Sequence, residues 1–333
     1  MPGNTVNGSG SRARSGAQTL VLLAAPLNVD ILRSLADGPK QQAELRRATG
    51  SAQTTLRAQL RRLVEIGVID KNRRNRFPGA LEYELTDMGK DLIFVATVLE
   101  RWLDATPDGS LPIGSNAAKA AIKALTEAWS TTMLRALAAG PLSLTELDRV
   151  IGSLSYPSLE RRLAAMRLAG QIEARPGDGR GTPYGVTEWL RQGVGPLAAA
   201  TRWERRHMPR ETAPLTRIDA ETVFLLAVPL LRLPAEATGR CRMAAEIPNG
   251  KGRLAGVTVG VEAGNVISCT TQLEDTPEAW ALGPSAAWLG TVVDADVQQL
   301  EIGGDYGLAR ALLDSLHQEL FGRGSARSRQ VRP

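Results

Sequence analysis

The stretch LRSLADGP (32–39) returns as LRALAAGP (134–141) about a hundred residues later. Each copy ends on a glycine followed by a proline. Glycine adopts the left-handed conformation that closes a helix, and proline prevents the helix from continuing. Both copies therefore read as the end of one kind of amphipathic helix, VDILRSLAD (29–37) and TTMLRALAA (131–139). Outward from this point the match persists. Glu44-Leu45 recurs as Glu146-Leu147, and Leu60, Leu63, Gly67 and Ile69 recur as Leu163, Met166, Gly170 and Ile172. Tyr83 and Thr86 return as Tyr184 and Thr187, and Trp102 as Trp203, always at an offset of 101 to 103 residues. Register held over that span reads as an internal duplication.

Each copy predicts the same order of elements. A short helix follows the first, QQAELRRAT (41–49) or LTELDRVIG (144–152), the second with a start capped by Thr145 and Asp148. A longer helix spans 52–66 or 157–169, where Pro157 suits the first helical position. A hairpin comes next, with VIDKNRR (68–74) and LEYELT (81–86) around one turn, and QIEARP (171–176) and PYGVT (183–187) around the other. A closing helix is expected over 88–104 and 188–206. Three helices and a hairpin make a winged helix-turn-helix.

Both copies resemble the HxlR-type winged-helix regulators, relatives of the MarR type. The shared pattern is L-x-x-L-x-x-G-P, an E-L pair in the second helix, L-x-x-x-L-x-x-L-x-x-x-G-[VQ]-I, then Y-x-[LV]-T and a closing helix with Trp. The resemblance implies a DNA-binding transcription regulator acting on double-stranded DNA. It also implies pairing through terminal helices, so that this chain is a covalent pseudo-dimer working as a monomer or as a homodimer.

In helix 52–66, Leu56, Leu60, Leu63 and Ile66 recur at spacings of three and four and face inward. Gln53, Thr54, Arg57 and Arg61 lie off that stripe, with the two arginines one turn apart. The second helix of such a motif enters the major groove, where Arg pairs with guanine and Gln with adenine. The wing KNRRNRF (71–77) adds Arg73, Arg74 and Arg76 for phosphate or minor-groove contact. In the second copy Arg57 becomes Glu160 and Arg61 becomes Ala164, leaving Tyr156, Ser158, Arg161 and Arg162, with Arg180 in the wing. An arginine on a helix is ordinarily a solvated side chain. The complete motif and the basic hairpin raise these above that background.

Beyond a linker at 209–216 the pattern changes. An apolar helical run (220–233) leads to alternating segments at 241–247, 253–262 and 266–273, then to helical stretches around 276–290 and 306–320. Antiparallel strands with helices on one face predict an α+β domain. WLGTVVDA (288–295), LEIGGD (300–305) and LARALLDSL (308–316) resemble the SCP2-like sterol-carrier fold. That resemblance implies an apolar cavity, with Phe224, Leu225, Trp280, Trp288 and Leu289 as liners. A second ligand site is expected at the seam of the two copies, near Trp102, Trp129 and Trp203. At each of these positions ordinary core packing is the competing explanation.

The expected fold class is mainly α with β wings. A disordered tail (1–16) precedes winged-helix domain 1 (17–106) and winged-helix domain 2 (115–208). An α+β SCP2-like domain (216–322) and a basic disordered tail (323–333) follow. The formal net charge of +5 is unevenly placed: residues 211–321 carry 7 Lys/Arg against 15 Asp/Glu, and the remainder 33 against 20. A basic body suits a polyanion, and the acidic segment has a separate task. The N-terminus lacks the apolar centre of a signal peptide, and no apolar run reaches the ~18 residues of a membrane span. Cys241 and Cys269 lack metal-site spacing, so a cytoplasmic protein without cofactor or metal is expected. His207 and His317 stand apart from any ligand array, and no catalytic motif occurs, which argues against an enzyme. The leading expectation is a repressor released by a small hydrophobic or aromatic effector. The rival is a small-molecule-sequestering or lipid-carrier-like protein in which the winged helices serve as scaffold.

Overall fold

The computed structural model describes residues 15–73, 81–107, 109–126, 128–152, 154–177, 181–210, 212–247, 254–272 and 276–322. The first run of elements is α1 (Ala17–Leu23), α2 (Pro26–Ala36), β1 (Lys40–Gln41), α3 (Gln42–Thr49), α4 (Gln53–Glu65), β2 (Ile69–Arg73), β3 (Leu81–Leu85) and α5 (Asp87–Asp104). Local chemistry sets each boundary. Pro26 opens α2, and a capping box of Gln41 and Glu44 opens α3. Gly50, at φ +63°, closes α3 and turns the chain into α4. Leu56, Leu60 and Leu63 bury one side of α4 completely. Thr86 caps α5 by accepting from the Gly89 amide at 3.1 Å and ties back to the Gly67 carbonyl at 2.7 Å. The three strands pair in the order β1-β3-β2, all antiparallel.

A second run follows: α6 (Asn116–Thr126), α7 (Ala128–Ala139), α8 (Leu144–Ile151), α9 (Tyr156–Leu168), β4 (Ile172–Ala174), β5 (Tyr184–Val186), α10 (Glu188–Gln192) and α11 (Val194–His207). Its joints repeat those of the first run. Gly152 closes α8 at φ +55°, and the Leu142–Tyr184 bridge stands where Lys40 pairs with Tyr83. Thr187 bonds the Gly170 carbonyl at 3.0 Å as Thr86 bonds Gly67. Four local expectations change. Ser143 with Glu146 forms the capping box, not Thr145 with Asp148, because Ser143 is the last residue before the helical turn. Pro157 is the second helical residue, after Tyr156. Gly140 does not adopt a positive φ, unlike Gly38 at +123°. The closing helix breaks at Gly193 into α10 and α11. Pro196 has no amide hydrogen to donate to the Gln192 carbonyl, so the ladder is interrupted there.

The closing helices bring the runs together through a reciprocal contact. The Trp102 indole donates to the Trp189 carbonyl at 2.8 Å, and the Trp203 indole donates to the Met88 carbonyl at 2.9 Å. The offset of 101 residues carries Trp102 to Trp203 and Met88 to Trp189, so each bond is the image of the other. Contacts that exchange in this way are those of a two-fold, isologous interface. Trp189 also donates to the Trp102 carbonyl at 2.8 Å, and the two rings stack at 4.9 Å.

The last region contains α12 (Arg217–Ala227), a 3-10 turn (Val228–Leu230), β6 (Gly239–Glu246), β7 (Leu254–Glu262), β8 (Asn265–Thr270), β9 (Ala279–Pro284), α13 (Ser285–Asp294), β10 (Glu301–Gly304), α14 (Tyr306–His317) and a π turn (Gln318–Gly322). The sheet runs β10-β9-β6-β7-β8 with β6 and β9 parallel, so it is mixed and not purely antiparallel. Residues 279–284, expected within a helix, form a strand. Residues 279–283 alternate between buried and half-buried, and Gly283 and Pro284 are poor helix formers. Successive residues of β7 from Ala255 to Val261 are all buried. Both faces of this strand are therefore covered, contrary to packing on one face alone.

This region is fastened to the second run. Glu221 on α12, 1% exposed, accepts from Arg135 on α7 and from Arg217, each at 2.5 Å. Arg191 on α10 donates to the Leu225 carbonyl at 2.6 Å, near the C-terminal end of α12 where the helix dipole is negative. Arg202 on α11 pairs with Asp294 of α13 at 2.6 Å. Toward the first run, Phe321 stacks on Phe94 of α5 at 6.1 Å.

Candidate nucleic-acid interface

The α4 helix is divided by its own periodicity. Its leucines lock it to the body, and Gln59 is held to Asn28, which in turn donates to the Leu22 carbonyl at 2.7 Å. Apart from half-buried Val64, the remaining positions face out. Gln53, Thr54, Arg57 and Arg61 are all exposed and line one shallow surface depression together with Ala58. Neither Arg57 nor Arg61 has a carboxylate partner among the described residues, whereas Arg33 is paired with Glu100 nearby. Two unpaired guanidiniums one turn apart present bidentate donors to any planar acceptor edge or phosphate. Arg46 and Arg47 extend the cationic surface from the exposed end of α3. Arg57 also acts on the Tyr83 hydroxyl: burial raises that group above its ordinary value, and the guanidinium pulls against the shift.

The hairpin β2–β3 places Lys71 in solvent. Arg74 and Arg76 lie outside the described residues, as does the side chain of Arg73. In the second run Arg180 and the side chain of Trp129 are likewise outside.

The α9 helix keeps the α4 backbone and changes its outer surface. Tyr156, Glu160, Arg161 and Ala164 are exposed. Ser158 is half-buried. Arg162 occupies the position of Gln59 and is also half-buried, with its Nη1 enclosed. The leucine register sets part of the Arg162 side chain against the body. Arg175, at the base of the second hairpin, is neutralised by Glu173 at 2.7 Å.

The expected ligand residues do not share one site. Phe224 and Trp288 meet edge to face at 4.8 Å and line an apolar cavity of about 70 Å³ with Leu197, Thr201 and Val292. Benzene fits a cavity of roughly 150 Å³, so this space is small for a lipid. Trp280 lies elsewhere, its ring against Gly303 of the neighbouring strand, where only a glycine leaves room. Trp102 and Trp203 are each 3% exposed and spend their indole N–H on the interface, yet each edges a cleft, of about 360 and 320 Å³ respectively. Sequence reasoning missed Thr201 and Leu197, since the cavity draws its walls from separate regions of the chain.

It also missed Glu204. This buried carboxylate accepts from the Gly16 amide at 2.6 Å, the Thr19 amide at 2.9 Å and the Thr19 hydroxyl at 3.0 Å. It thereby fixes the start of α1 onto α11. Burial pushes its carboxyl above the ordinary range, against the pull of these donors. His207 meets Asp91 at 2.9 Å, a further link between α11 and α5. Cys241 and Cys269 are unpaired thiols, and burial pushes both up to about 12, so they stay protonated near neutrality. No single described helix is long and apolar enough to cross a membrane.

Residues 24–109 match the HxlR-like helix-turn-helix family. Over 90 residues the chain is 34% identical to the uncharacterized HTH-type transcriptional regulators Mb3122 of Mycobacterium bovis and Rv3095 of Mycobacterium tuberculosis, covering 27% of this chain and 57% of each relative. The chain thus spans little more than half the length of these curated relatives. Among solved structures it is similar to a protein described as a MarR-family transcriptional regulator from Enterococcus faecalis V583, with 28% identity, 26% of this chain and 78% of that one covered, and a TM-score of 0.24. It is also similar to diamide-treated YodB of B. subtilis, with 25% identity, 28% and 92% covered, and a TM-score of 0.26. Residues 24–109 are an HxlR-like helix-turn-helix domain of the winged type.

Proposed function

We propose that this chain is a transcription regulator, acting as a repressor, that grips double-stranded DNA with two winged helices carried on one polypeptide. The observation that carries this reading is the exposed, acid-free surface of Gln53, Thr54, Arg57 and Arg61 on the second helix of the helix-turn-helix motif. That helix is the one such motifs insert into the major groove. Support for a second reader comes from the paired Trp bonds, which relate the runs as the subunits of a dimer are related. The two reading helices then address grooves about one turn of DNA, roughly 34 Å, apart. Phosphate contacts from the basic wing provide most of the affinity, which falls steeply with salt.

The SCP2-like region, fastened to the second run, is the sensing part. A small hydrophobic molecule that enters beside Phe224 and Trp288 has to widen the cavity of about 70 Å³, and in doing so pushes on α11, because Leu197 and Thr201 form its wall. Pressure there changes the angle between the runs and releases DNA.

The test is fluorescence anisotropy on duplexes from the DNA flanking the chain's own gene, at several salt concentrations. Arg57→Ala is expected to erase most of the preference for the bound site over random duplex, and Arg73→Ala with Arg74→Ala to weaken every duplex alike. Binding unchanged by all three substitutions would overturn the reading.

A further inference from the structure

The two runs share a backbone and differ in what they present. Both reading helices have 13 residues, follow an extended entry residue, Ala52 or Ser155, and bury leucines in the same register. With Leu56 set on Leu159 and Leu60 on Leu163, Gln53 falls on Tyr156, Arg57 on Glu160 and Arg61 on Ala164. All six side chains are exposed. A two-fold relation between the runs carries Glu160 to the place in its own groove that Arg57 holds in the other.

A carboxylate there is selective by repulsion. Guanine presents acceptors N7 and O6 in the major groove, thymine presents O4, and phosphates line both sides. Each opposes an anion. Cytosine alone presents a donor, its N4 amine, with no acceptor beside it on that edge; adenine offers N6 with N7 adjacent. Ala164 shortens the next turn to a methyl group, which suits contact with a thymine methyl. Tyr156, 45% exposed at the helix start, adds an apolar ring one turn before Glu160. Arg161, exposed at the position of Ala58, keeps one cation for the backbone.

We infer that the chain reads a non-palindromic DNA site, in which Arg57 and Arg61 select guanines in one half and Glu160 selects cytosine in the other. This rests on the DNA-reading function proposed above and adds the sequence class of each half-site. Covalent duplication makes it possible: a homodimer presents one surface twice, whereas two copies on one chain diverge independently.

The experiment is selection of binding sites from a pool of random duplexes by the full-length protein, wild type, Arg57→Ala and Glu160→Gln, with the bound DNA sequenced. The wild type is expected to enrich two unlike half-sites at a fixed spacing. Arg57→Ala is expected to lose guanine preference in the first half only. Glu160→Gln is expected to reduce the cytosine preference of the second half about five- to ten-fold and move it toward adenine, the base that Gln reads. Glu160 is exposed, so its replacement leaves the core intact. Enrichment of a palindrome, or of one half-site that Glu160→Gln leaves unchanged, would overturn the inference while leaving DNA reading by the first run in place. A pool unchanged from its input, with no salt-dependent binding, would remove both.

Discussion

The first run pairs Arg33 of α2 with Glu100 of α5, inside one module; the second pairs the equivalent Arg135 of α7 with Glu221, which belongs to the following region. The position of Glu100 has become Thr201, a wall of the apolar cavity. The surface thus closes on itself in the first run, and the matching surface of the second run holds the following region. Arg191 shows the same change: it is enclosed against α12, while its counterpart Lys90 makes an exposed pair with Asp87. The outer faces of α4 and α9 diverge as well: Gln53, Arg57 and Arg61 stand where the second run has Tyr156, Glu160 and Ala164. Buried positions are held by packing, since a core feels the loss of a single methylene. Exposed positions carry no such constraint and have parted freely, while the buried departures, Glu204 for Leu103 and Trp189 for Met88, lie where the second run meets the first.

The largest expected effect tests the mounting. Arg135→Met leaves Glu221 buried with only Arg217, and is expected to cost about 3 kcal/mol in urea unfolding. Arg33→Met removes a pair whose arginine is 58% exposed, and is expected to cost less than about 1 kcal/mol. Equal costs would abolish the contrast. Next comes the seam. Trp102→Phe and Trp203→Phe each remove one indole N–H from a carbonyl, at about 1–3 kcal/mol apiece. A two-fold interface predicts a measurable loss at both, the larger at Trp102, whose ring also stacks on Trp189; no loss at one of them would show that only one side bears the contact.

A smaller effect concerns the reading surfaces. Ala164→Arg restores to α9 the cation of α4. It is expected to raise affinity for random duplex several-fold and steepen the slope of log K against log salt by about one unit, read by anisotropy. No change in slope would mean that α9 does not approach the phosphates. The smallest lies at Glu204, which has no acidic counterpart, its equivalent being Leu103. Its folded pKa is raised, so its favourable contribution is present below the unfolded value near 4.3 and is lost as pH rises through the folded value. The stability of wild type minus that of Glu204→Gln, measured by thermal unfolding between pH 4 and 7, is expected to decline as pH increases. A flat difference would place the carboxyl at its ordinary value.

Much of the candidate site was legible residue by residue. Leu56, Leu60 and Leu63 repeat with the helical period, so the exposure of Arg57 and Arg61 followed from spacing alone. The half-burial of Arg162 was not legible, because the identity of an arginine does not say how much of its stem lies against the body. The strand 279–284 was misread because AWAL suits a helix by propensity, and pairing with β6 and β10 overrides it. Trp189 gave no signal: its partner is the carbonyl of Trp102, and a backbone acceptor leaves no mark in a sequence.

The chain's own order of residues determined the repeat, the three-helix-and-hairpin pattern and the inward and outward faces of α4, since these depend on neighbours within a few positions. Folding in three dimensions decided the seam of tryptophans, the capture of Arg135 by Glu221 and the walls of the cavity. The Trp203–Met88 bond alone spans 115 positions, and what selects such contacts is the burial of charge and indole against whichever surface happens to meet them.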